Sequence, residues 1–188
     1  MKTKMKNQGH STAVVALLLL VAVVLACNKT GVDETEAANK LVTEGNAAVQ
    51  EAKKHVATAG EKLDQMMKTP LTKLKEARVT AAEAIEAYDQ AKGKCKEASK
   101  KFEEASKLKI KDKFKEYLTL KAKEFDKRAE LVETAKGTPQ ALIDAKNRVS
   151  FASVAKANNE RVERLTKEAD DLAVQADKVQ KENPDSIK

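Results

Sequence analysis

Apolar and small residues recur along this chain in alternating steps of four and three. Ala38, Val42, Gly45, Val49, Ala52, Val56, Ala59, Leu63 and Met66 form the first series, the spacing of a heptad seam on a helix that packs along its whole length. Small residues (Ala38, Gly45, Ala52, Ala59) alternate with larger ones, so a second helix can approach closely along the small row. Asp33 stands at the N-cap position, with Glu34 and Glu36 in a first turn where acids complement the helix dipole. A second seam runs through Leu74, Ala77, Ala81, Ala84, Tyr88, Ala91, Cys95, Ala98, Phe102 and Ala105. Between the two, Thr69-Pro70 reads as a cap followed by Pro at the first helical position, where its missing N–H is harmless. Two helices, about 33–68 and 70–109, are therefore predicted to fold back on each other as an antiparallel hairpin.

The register then shifts. Ile110, Phe114, Leu118, Ala122, Phe125, Ala129 and Val132 make a third stripe out of phase with the second, and Lys107 to Lys115 reads KLKIKDKFK, a period of two that a helix would scatter around its circumference. A turn near Lys111 with Asp112 as cap is favoured over a continuous helix with a register skip, although no Gly or Pro forces it. Gly137-Thr138-Pro139 supplies a stop, a cap and a Pro start in succession, so the third helix is placed at 112–136 and a fourth at 139–183, ahead of Asn183-Pro184. The fourth seam is Ala155, Asn158, Val162, Leu165, Ala169, Leu172, Ala176 and Val179, extended backwards with an imperfect step through Phe151 and Val149. Asn158 either fixes register at some expense in stability or lies on a face turned to water. The expected fold is all-α: an antiparallel bundle of three or four long helices with coiled-coil-like seams over 33–183, followed by a tail at 184–188. A last helix of ~67 Å beside a first of ~54 Å would leave overhangs in such a bundle.

Ahead of the helices, Ala13 to Leu25 is an uninterrupted apolar run behind Lys2, Lys4 and Lys6. It is shorter than the ~20 residues needed to span hydrocarbon and reads as an export signal, residues 1–26. The run ends Val24-Leu25-Ala26-Cys27, which resembles the lipobox of bacterial lipoproteins. It departs from the usual pattern in having Val24 where Leu most often stands and Leu25 where a small residue does. The resemblance implies acylation of Cys27, cleavage before it, and a lipid-bearing tether over residues 27–32. Ordinary cleavage after Ala26, leaving a free terminal thiol, suits the same residues. Asn28 follows the Cys where lipoproteins kept at the inner membrane commonly have Asp, which implies an outer-membrane address facing the periplasm if the source has two membranes.

Composition sharpens this picture. The chain has 188 residues, 3% of them aromatic, no Trp, and six Gly with three Pro, too few turn and strand residues for a sandwich or barrel. Its formal charge of +7 comes from 36 basic and 29 acidic groups. Without residues 1–26 and their three lysines, 162 residues remain with 33 basic and 29 acidic groups, or +4. From Lys94 to Lys115 nine lysines face four acids. Lys107, Lys109, Lys111, Lys113 and Lys115 are thus the candidate contact with an anionic membrane surface or envelope polymer; nucleic acid is the least favoured partner for a secreted chain.

Catalytic chemistry is not expected. No convergent nucleophile and base or Gly-rich phosphate loop is legible, and His55 with Glu51 one turn before it falls short of the three or four ligands of a metal site. No cofactor is expected, and Cys95 in its seam reads as a buried thiol. The terminal Asn183-Pro-Asp-Ser-Ile-Lys188 is broadly similar to the end of murein lipoproteins, which implies a bond from Lys188 to peptidoglycan, although that family is shorter and has one helix per chain. The leading expectation is a non-enzymatic, lipid-anchored envelope protein that contacts a helical partner or itself. The alternatives are a bundle that holds an apolar ligand, using the aromatics from Phe102 to Phe125 with Phe151, and a peptidoglycan tether.

Overall fold

A computed structural model of the chain describes residues 33–145 and 148–187. Residues 1–32, with Cys27, and Lys188 lie outside the described residues. Four α-helices follow in order: α1 Thr35–Lys68, α2 Leu74–Ser106, α3 Asp112–Asp144 and α4 Arg148–Glu182, with a single 3₁₀ turn at Leu71–Lys73. The described residues contain no strand. Each helix packs on its neighbour in sequence, α1 on α2, α2 on α3 and α3 on α4. Ion pairs show that neighbours run antiparallel: Glu44 meets Lys101 while Lys62 meets Glu83, and Asp89 meets Lys136 while Lys92 meets Glu133.

The seams are where the apolar periodicity places them. The small row of α1 (Ala38, Gly45, Ala52, Ala59) is buried throughout, whereas Val56 in the larger row is 42% exposed. All seven residues of the third stripe, Ile110 to Val132, are buried. The core falls into three clusters along the helices. The largest joins Ala38, Val49, Ala98, Phe102, Phe114, Leu118 and Phe125; a middle one holds Ala59, Tyr88 and Val132; the last holds Met66, Ala77 and Leu142 with Phe151 packed against it. Gly45 explains how Phe102 reaches α1, since a Cβ there would lie 3.1 Å from Phe102 Cε1 and Cζ.

The chain does turn between α2 and α3, and the period-two segment is that turn. Leu108 and Ile110 pack inward while Lys107, Lys109, Lys111 and Lys113 are exposed. Lys111, not Asp112, is the capping residue, and no side chain caps the helix.

Two boundaries differ from the sequence expectation. The break placed at Gly137-Thr138-Pro139 is absent: α3 continues through Pro139 to Asp144, and α4 begins at Arg148. Gly137 serves close helix packing, not termination, because a Cβ there would lie 2.6 Å from Asn158 Nδ2 on α4. Pro139 is fully buried, and that burial offsets the helix bond its ring cannot donate. The second difference is at Thr69-Pro70. The Thr69 hydroxyl donates 2.9 Å back to Gln65 O at the end of α1, so it caps nothing downstream. Pro70 is extended, and the 3₁₀ turn intervenes before α2. With these corrections the helices are 34, 33, 33 and 35 residues long, or ~50 Å each, and the expected overhangs disappear.

Candidate functional site

The lysine run from Lys94 to Lys115 occupies the second half of α2, the turn and the first turn of α3. Much of its charge is met by acids. Lys101 Nζ lies 2.7 Å from Glu44 Oε2 of α1, Lys94 2.7 Å from Glu97, Lys107 2.6 Å from Glu103 and Lys113 2.8 Å from Glu116. The Glu116 carboxylate, and more weakly Glu182 at the end of α4, raise the Lys113 pKa. Hydrogen bonding to Lys101 holds the Glu44 carboxyl below the usual carboxylate range. The excess read along the chain is therefore tempered in space by α1 and α4. Lys111 Nζ donates 2.7 Å to the backbone carbonyl of Asp185. Lys115 is half-buried.

The other sequence candidates separate. Glu51 is engaged with Lys54 at 2.7 Å, beside a half-buried His55. Among the described residues no group of three or more His, Cys, Asp or Glu is placed to hold a metal ion. Phe102 and Phe125 meet at 5.7 Å between ring centroids and Phe114 lies 6.5 Å from Tyr117. Phe151, expected to join them, packs in the cluster at the opposite end of the helices. Cys95 is buried, and that burial raises its thiol pKa to about 11. It remains a thiol at neutral pH and is a poor nucleophile.

Sequence reasoning missed a buried charge cluster. Glu124, with its side chain 4% exposed, accepts from Lys121 Nζ at 2.6 Å and Arg128 Nε at 2.7 Å, and Arg128 reaches Asp170 of α4 at 3.2 Å. The available signal was an acid with bases three before and four after it, on the face adjoining the apolar stripe. Lys127–Glu168 at 3.1 Å and Arg161–Glu130 at 3.5 Å continue the same α3–α4 seam. The cluster is structural: it fixes α4 against α3, and among the described residues every buried side-chain polar atom has a hydrogen-bond partner.

Comparison with known proteins finds no matching family model, no matching curated protein and no matching solved structure. No helix among the described residues is long and apolar enough to cross a membrane.

Proposed function

We propose that this chain is a lipid-anchored structural or interaction protein of the bacterial cell envelope, acting through its helical faces and not by catalysis. The observation that carries the reading is the apolar run Ala13–Leu25 ending in Val24-Leu25-Ala26-Cys27, with the resemblance to a lipobox. The two or three acyl chains of such lipoproteins anchor stably where one anchors marginally. The helical region supports the interaction half of the reading. Helices α1 and α4 each pack extensively on one neighbour, and Val56 and Val174, 42% and 66% exposed, lie on them. An apolar-ligand module has less support, because Phe102, Phe114 and Phe125 are packed into a core with Leu118 and Phe151 lies apart from them.

The test is fractionation of cells making the wild-type chain and Cys27→Ser. The wild type is expected in the membrane fraction and the variant in the soluble fraction; unchanged partitioning contradicts the anchor.

A further inference from the structure

Antiparallel packing gathers the start of α1, the α2–α3 turn and the end of α4 at one end of the helices. Lys111 bonds Asp185 O there, and Ile187 packs against the core cluster that contains Phe102 and Phe114. Thr35, the first residue of α1, is eight positions beyond Cys27, a length of chain that reaches at most ~28 Å. The helices are ~50 Å long. An acylated Cys27 would therefore keep this end near its membrane.

Resting on the anchored reading above, we propose that the α2–α3 turn docks on anionic headgroups of the membrane that holds Cys27, standing the helices up from the bilayer. The turn is built for it. The inward-facing Leu108 and Ile110 fix the loop while Lys107, Lys109, Lys111 and Lys113 are exposed; between Lys107 and Lys115 the one acid is Asp112, and α1 and α4 bring Glu36, Glu182 and Asp185 to the same end. The pairs that engage Lys107 and Lys113 are exposed, with side-chain exposures of 67% and 57% in one and 52% and 48% in the other. Such pairs are weak and exchange readily for a lipid phosphate. Glu44, which holds Lys101, lies two turns inside α1 and does not pair with the lysines of the turn.

The experiment uses the mature chain carrying Cys27→Ser, so that binding is independent of acylation, with vesicles of phosphatidylcholine alone or mixed with phosphatidylglycerol. Cosedimentation is expected with the mixed vesicles at low salt and is lost as salt is added. Each lysine near such a surface contributes roughly fivefold in partitioning, so Lys107, Lys109, Lys111 and Lys113→Gln together are expected to lower it by at least about tenfold. A charge-matched control at the opposite end, Lys68, Lys73, Lys75 and Lys156→Gln, is expected to change it by less than about twofold. Thermal unfolding followed by circular dichroism checks that the variants fold; if the fourfold turn variant does not, Lys109→Gln with Lys113→Gln is expected to lower binding in the same direction by a smaller factor. Absence of binding to the mixed vesicles, or equal losses in the turn and control variants, overturns the docking. Retained binding together with an unacylated Cys27 in the native protein would instead overturn the anchor alone.

Discussion

A single missing Cβ sets how close α1 comes to α2. Gly45 faces the Phe102 ring, which is 1% exposed and central to the largest cluster. Truncating Phe102→Ala is expected to destabilise the fold by ~3–5 kcal/mol, and Gly45→Val by ~1–3 kcal/mol through overpacking, both measured by chemical denaturation. Gly60 and Gly93 are the opposite case, since a Cβ at either meets nothing within 4 Å. Each Gly→Ala change there is expected to add ~1 kcal/mol from helix propensity alone, raising the melting temperature by roughly 2–4 °C. Glu124 belongs to a third class, in which two cations depend on one buried carboxylate. Glu124→Ala should cost ~1–3 kcal/mol, because it removes the carboxylate that Lys121 and Arg128 share and leaves Arg128 only Asp170, whereas the same change at the exposed Glu130 should cost less than ~1 kcal/mol.

At the scale of the helix, apolar spacing made most of the fold legible. The seam residues Ala77 to Ala105 of α2 are all buried, as is every residue of the Ile110–Val132 stripe. The buried Ala87 and Ser99 lie outside the predicted seam because α2 has neighbours on two sides, and Ser99 Oγ donates to Ala122 O of α3. Helix ends were less legible, since caps are local signals that a distant contact can override. Gly137 and Pro139 have the composition of a boundary, but the residue that explains Gly137 is Asn158, on the next helix. This assignment has a direct test. Gly137→Ala should destabilise the protein when Asn158 is present and stabilise it by ~1 kcal/mol in an Asn158→Ala background. The same destabilisation in both backgrounds would mean that Asn158 is not what requires the glycine. The candidate site was legible as a run of lysines, but the temper on its charge was not, because Glu44 and Glu182 are far away in sequence and arrive through packing.

Among the described helices, ion pairs bridge each packed pair, and their response to pH follows from the acids. The carboxyl of Glu44 is held low chiefly by its hydrogen bond from Lys101, that of Glu130 by Lys127 and then Arg161, and that of Glu133 by Lys92 and then Lys136. A depressed folded pKa contributes stability that is present above the unfolded value of ~4.3 and is lost as pH falls through the folded value. The melting temperature should therefore be nearly flat from about pH 5 to pH 8 and fall below about pH 4. A fall centred well above the carboxylate range would contradict this assignment to the paired acids. Lys101 and Lys136, raised chiefly by their hydrogen bonds to Glu44 and Asp89, give the mirror image. Their contribution is present below the unfolded lysine pKa and is lost in strong alkali as pH rises through the folded value.

We propose that the helices are carried on a lipid, and intact-mass measurement of the protein extracted from native membranes tests this most directly. Expected is a chain that starts at Cys27, lacks residues 1–26 and carries the added mass of a diacylglyceryl group on the thiol. An unmodified chain beginning at Cys27, or one that still carries its first 26 residues, would contradict it.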